Sequence, residues 1–178
     1  MDSVRYPVGP FDYDTVGAVS ATDRVTLLRQ IAELPQEMTR AVEDVTVAAL
    51  THRYRPGGWT LRQVVHHVAD SHLNGYIRFR LALTEDTPVV KPYDEAAWAE
   101  LPDVSRAPLA DSLALLSGTH ARWVQLLWAM TPDDYARDFY HPGARRVLRL
   151  DTALAMYAWH GRHHVAHVLA ARERALTA

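Results

Sequence analysis

Leu109, Leu113, Leu116, His120, Trp123, Leu127 and Met130 recur at alternating spacings of four and three without a break. Only an α-helix keeps such a set on one face, and a seam that long has to be buried against other helices. The pattern predicts a helix from about Leu109 to Met130, with His120 at a core position. Three other segments share the period. Leu28, Ile31, Met38 and Val42, with Leu34 beside them, mark a helix over about Ala21–Val45, capped by Ser20 or Thr22 and bent at Pro35. Leu61, Val64, Val65, Val68, His72, Tyr76 and Phe79 mark another, from Thr60 to about Leu83, with Thr60 and Gln63 at capping-box spacing. Ala153, Met156, Tyr157, His160, His164, His167 and Val168 mark the last, from an Asp151 N-cap to about Leu176.

The stretch Thr84–Pro108 holds Pro88, Pro92, Pro102 and Pro108, with Tyr93 and Trp98 as aromatic anchors. Antiparallel neighbours need only short turns. A connection of this length predicts that the third helix does not simply fold back beside the second. Phe139-Tyr140-His141-Pro142-Gly143 reads as a turn and Arg146–Leu150 as briefly extended. The expected fold is all-α: one domain over residues 1–178, a four-helix bundle with a long crossover connection.

Composition narrows the function classes. A net charge of -2 offers no basic surface for nucleic acid or an anionic membrane. No run is long and apolar enough for a transmembrane helix. The opening Met1–Pro7 lacks an apolar h-region, so no signal peptide and a cytoplasmic location are expected. With no cysteine in 178 residues, disulfides, iron–sulfur clusters and thiolate zinc sites are excluded, and any metal must be held by His, Asp, Glu, carbonyl or water.

Ten histidines remain, four of them between His160 and His167. His160 and His164 lie one helical turn apart on the apolar face, the spacing two imidazoles need to reach one ion. A third ligand must come from elsewhere. On the second helix, His72 lies within the apolar stripe, His67 on its flank, and His66 toward the opposite face, so His67 and His72 both remain candidates. A lone core histidine is more often hydrogen-bonded than metal-bound, which is the plain reading of His72 or His120 taken singly. A solvated helix face explains His163 better than His160. The H-E-x-x-H motif is absent, since Gly161 follows His160, and so are a P-loop, a dinucleotide fingerprint, a G-x-S-x-G elbow and paired Glu-x-x-His ligands.

Several segments in order along the chain carry a resemblance. They are Tyr6-Pro7-Val8-Gly9, Gly57 through His72, Lys91-Pro92-Tyr93-Asp94-Glu95 with Trp98, His120-Ala121-Arg122-Trp123, Phe139-Tyr140-His141-Pro142, and Tyr157 through His167. Together the chain resembles the DinB-like superfamily of bundle metalloproteins, most closely its YfiT branch. The resemblance implies a mononuclear site of His67, His160 and His164, holding nickel or zinc with positions open to water, in a homodimer. It also implies a thiol S-transferase of the bacillithiol type or a metal-dependent hydrolase acting on small molecules.

In the S-transferase reading, favoured by a small margin, the metal stabilises a low-molecular-weight thiolate and Arg78 and Arg122 hold its anionic groups. That chemistry needs no protein nucleophile. In the hydrolytic reading an activated water attacks an ester or amide, and the candidate bases are His120, Asp94 and Glu95. Asp70 is a candidate to orient a ligand imidazole. A third reading is a metal-binding stress protein without turnover. Gly161, inside the last helix, makes room for a bound group or is incidental.

Overall fold

The first long helix, α1 (Ala21–Ala41), starts where the Ser20 hydroxyl accepts the Asp23 N–H, so Ser20 rather than Thr22 is the cap. It stops short of the expected Val45. Val42 is its C-cap, and Asp44 takes a left-handed φ of 60° that a continuing helix does not allow. The computed structural model describes residues 4–14 and 19–177. α2 (Leu61–Thr84) opens on a complete capping box between Thr60 and Gln63. Two short helices, α3 (Glu95–Ala99) and α4 (Pro102–Arg106), break up the long connection. α5 (Leu109–Ala129) carries the unbroken seam, and Leu116, His120, Trp123 and Leu127 are buried along it. α6 (Pro132–Ala136) leads into a hairpin of β1 (Asp138–His141) and β2 (Arg146–Arg149). α7 (Leu150–Thr177) completes the bundle.

Two local expectations shift. Phe139 to His141 belong to a strand, and the turn lies beyond them, where Arg145 adopts a φ of 52°. Asp151 sits just inside α7 rather than capping it; its carboxylate accepts from the Thr152 N–H at 2.7 Å and pairs with Arg149 at 2.8 Å.

Neighbour contacts fix the topology. α1 packs on α5 and α7, and α2 packs on the same two helices. Arg62 donates to the Ala107 carbonyl at 2.8 Å, His66 meets Ser112 at 2.7 Å, and His72 meets His120 at 3.0 Å. Residue numbers climb together, so α2 and α5 run parallel. α1 and α7 are also parallel, with Leu34 against Gly161 and Arg172 donating to the Arg40 carbonyl. α7 opposes α2, because His67 faces His164 while Gly75 faces Tyr157. The order is up, down, down, up. After the 24 residues of α2, about 36 Å at 1.5 Å per residue, the chain must travel back the full length of that helix before α5 can start. That return is the crossover the sequence pattern predicts. Among the described residues, no helix is long and apolar enough to cross a membrane.

The core is split into two apolar clusters. One gathers around Phe79, Trp123, Leu127 and Tyr157, the other around Leu34, Met38, Val65, Val68 and Val168. Each long helix passes from one to the other, and His72, His120, His160 and His164 fall at the level between. Gly161 faces Leu34, whose Cδ2 lies 2.7 Å from where a Cβ would stand, so the space at this glycine belongs to α1 and not to a bound group.

Gly75 faces harder neighbours. A Cβ there would lie 2.5 Å from Tyr157 Cζ and 2.8 Å from Trp123 Cη2, both rings of fully buried residues. Overpacking typically costs about 1–3 kcal/mol, which outweighs the roughly 1 kcal/mol of helix propensity that alanine adds. Gly75→Ala should therefore lower the urea midpoint; an equal or higher midpoint would contradict this packing.

Candidate metal centre

α2 and α7 run antiparallel face to face, which brings His67 of the former against His160 and His164 of the latter. One nitrogen from each of the three can be chosen so that all lie within 4.8 Å of one another. His67 Nε2 and His160 Nε2 are 3.2 Å apart. Two nitrogens on a tetrahedral zinc are about 3.3 Å apart, given bonds of about 2.0–2.1 Å, so this pair has the spacing a cation would use. Helical periodicity leaves His67 and His72 equivalent as partners. The structure separates them: His67 joins the cluster, while His72 Nε2 is bonded to His160 Nδ1 at 3.1 Å, on the side of that ring away from His67.

Trp59 packs on the His67 ring, with centroids 4.6 Å apart. His163 is buried and stacks on Trp159 at 4.5 Å, so it does not lie on a solvated face as its sequence position suggested. His163, His164 and His167 form a second group with the same close spacing. The Nδ1 atoms of all three are buried without a hydrogen-bond partner. Orphaned imidazole nitrogens at this depth are costly, and a bound cation or water relieves such a cost.

Desolvation dominates the electrostatics. Burial pulls His67 down from its ordinary 6.5 to about 4, and His120 likewise, although the Ile31 carbonyl beside His120 works against the shift. Burial, reinforced by the neighbouring imidazoles, holds His72, His160 and His164 well below the ordinary value. All five rings are therefore neutral at pH 7, the form that offers a lone pair to a metal.

The cluster forms one wall of a cavity of about 700 Å³. Arg78, Asp94 and Glu95 line it. Arg78 Nη1 donates to the Tyr157 hydroxyl at 3.1 Å. Asp94 Oδ1 accepts the Ala97 N–H at 2.9 Å and caps α3, which leaves Glu95 uncommitted at the cavity mouth. Partial desolvation there raises the Glu95 pKa, against the pull of Arg78.

Three expectations fail on geometry. His120 does not face the cavity; both ring nitrogens are engaged in the core, Nδ1 with the Ile31 carbonyl and Nε2 with His72. Arg122 is exposed on the outer side of α5 and lies over the Tyr76 ring at 5.8 Å. Asp70 makes no side-chain hydrogen bond to His67, His160 or His164 among the described residues; its charged neighbour is Asp103, and His160 Nδ1 is taken by His72. The sequence reading also passed over His141, Tyr13 and the Tyr157 hydroxyl, all on the cavity wall. Tyr157 carried a usable signal, because a tyrosine in an apolar stripe has a hydroxyl that needs a partner.

Residues 30–168 match the DinB superfamily. Relatives from Bacillus mycoides strain KBAB4 and Bacillus cereus strain AH820, each 48% identical over 98% of both chains, carry the name "putative metal-dependent hydrolase". The solved structure of YfiT from Bacillus subtilis, described as "a probable metal-dependent hydrolase with an unusual four-helix bundle topology", is 43% identical. It superposes with a TM-score of 0.93 over 97% of this chain and 98% of its own.

The buried neutral imidazoles set a pH dependence. His67 and His120 have folded pKa values of about 4 against 6.5 in the open chain, so the unfolded state binds more protons between those limits. Their contribution to stability is complete above pH 6.5 and is lost as pH falls toward 4. Urea midpoints of protein kept metal-free with chelator should drop across that window; a flat profile would show that these rings are not neutralised by burial.

Proposed function

The chain belongs to the DinB superfamily, and from that premise we propose that it is a metal-dependent hydrolase in which His67, His160 and His164 hold one divalent cation beside a small-molecule cavity. The observation that carries this is the convergence of three neutral, desolvated imidazoles on the wall of an open cavity. Its volume lies within the roughly 300–1,000 Å³ of ordinary small-ligand sites. Zinc or nickel suits an all-imidazole donor set. When bound, such a cation supplies Lewis acidity and lowers the pKa of a water it carries toward about 7.

The chain's own residues supply the rest. Glu95, with its raised pKa and no capping duty, accepts the proton that the attacking water gives up and returns it to the leaving group. Arg78, steadied by the Tyr157 hydroxyl, presents its remaining N–H groups to an anionic group on the substrate or to charge building on a carbonyl oxygen. Trp59 and Trp159, also in the wall, keep part of that volume apolar.

A second reading rests on Arg78 and on composition. Arg78 is the one Lys or Arg among the described residues lining the cavity, and the chain has no cysteine. A thiol nucleophile would have to arrive as an anionic low-molecular-weight thiol such as bacillithiol, with Arg78 as its counter-ion. That is S-transfer to an electrophile at the same centre.

Elemental analysis of wild-type protein beside His67→Ala, His160→Ala and His164→Ala decides the ligand set. Each variant should lose most of its metal, and full occupancy in all three would reject the assignment. Metal-loaded enzyme should hydrolyse members of an ester and amide panel without added thiol. Glu95→Gln should lower kcat by about 10²–10⁴ while Asp94→Asn changes it far less. Turnover that appears only with added bacillithiol and an electrophile would replace hydrolysis with S-transfer.

A further inference from the structure

Pro35 stands inside α1, and a proline has no N–H to offer the carbonyl four residues earlier. That carbonyl belongs to Ile31. It accepts a hydrogen bond from His120 Nδ1 at 2.7 Å instead. A carbonyl cannot donate, so His120 carries its proton on Nδ1. Burial keeps the ring neutral, so Nε2 holds a lone pair. His120 Nε2 lies 3.0 Å from His72 Nδ1, which must therefore be the protonated nitrogen of His72. His72 Nε2 is then the acceptor, 3.1 Å from His160 Nδ1, and the same step places the proton of His160 on Nδ1. What is left at the end of the chain is the Nε2 lone pair of His160, 3.2 Å from His67 Nε2.

We infer that Pro35, His120 and His72 are positioning residues which lock His160 in the Nδ1–H tautomer and so present its Nε2 lone pair to the cavity. The chain takes one link from each long helix: Ile31 from α1, His120 from α5, His72 from α2 and His160 from α7. His120 and His72 are almost fully buried, at 1% and 0% exposure, so water cannot reset either tautomer. None of the three touches the reacting space. They act on it through His160. The inference rests on the proposed metal centre for its purpose, although the tautomer pattern itself exists without metal.

Long-range ¹H–¹⁵N spectra of the metal-free protein near neutral pH read each ring directly. His120, His72 and His160 should all show the Nδ1–H pattern; an Nε2–H pattern at any of them overturns the inference. Pro35→Ala returns an N–H to Ile31 and removes a helix-interior proline. It should raise the urea midpoint, weaken zinc binding about tenfold in competition with a chromogenic chelator, and give His160 a detectable Nε2–H population. A purely structural proline would raise the midpoint and leave affinity and tautomer alone, which would overturn the role of Pro35. His120→Leu should cost about 10–100-fold in zinc affinity, and unchanged affinity would overturn the role of His120. Should wild-type protein bind no metal, the metal centre fails while the spectra still decide the chain of tautomers.

Discussion

An imidazole taken out of water must find both a donor and an acceptor, and this bundle buries a layer of them across its middle. Each unmet nitrogen would cost about 1–3 kcal/mol, a large share of a domain's net stability. The layer is tolerable because a hydrogen-bonded chain runs through it from the Ile31 carbonyl to His160, with apolar clusters above and below. The helices are consequently pinned in register as well as packed. Apolar side chains alone tolerate small slides, whereas bonds of 2.7 to 3.1 Å do not. The same layer ends on the cluster of His67, His160 and His164.

Topology decides which histidines can meet. With α2 and α5 parallel and α7 opposed to α2, the flank of α2 that carries His67 faces the His160–His164 face of α7. The stripe that carries His72 turns toward α5. An up-down-up-down bundle with short loops would reverse both of these relations. The crossover that avoids this also has a place at the site. It lays α3 along the cavity mouth, where Asp94 is spent on capping the helix and Glu95 is left over. Helices thus hold the imidazoles and Arg78, while the crossover adds Glu95 at the mouth, so a rigid scaffold and a surface connection share the site.

Much of this was legible in the residues. The four-and-three seam of α5, the Thr60–Gln63 box and the paired His160 and His164 are local patterns, and local patterns survive translation into structure. The crossover was readable from length alone. Periodicity could not choose His67 over His72, because both lie near the buried face and the choice depends on which neighbour each side of α2 meets; only the family resemblance singled out His67. His120 misled for a related reason. A seam position shows that a side chain points inward, but not whether it reaches a cavity or another buried polar group. Arg122 failed because α5 lends no residue to the cavity wall, and one step along the helix from the buried Trp123 turns its side chain to the outer surface. Gly161 stayed open between two readings because close approach by Leu34 and space for a ligand leave the same mark in a sequence.

Pro35 shows how a feature read as a local defect can belong to a distant site. Taken alone, a proline in α1 costs a hydrogen bond and bends the helix. Its consequence is a carbonyl with spare capacity, aimed at the core at the level where α5 presents His120. Had the carbonyl its ordinary helical donor, His120 would compete for it, and nothing else in the chain would force the order of protons through His72. Two neutral histidines in contact have two equivalent ways to share a proton. The ambiguity is lifted when one end of the chain meets a group that cannot donate. A backbone carbonyl is such a group, and α1, which contributes no side chain to the proposed centre, supplies it.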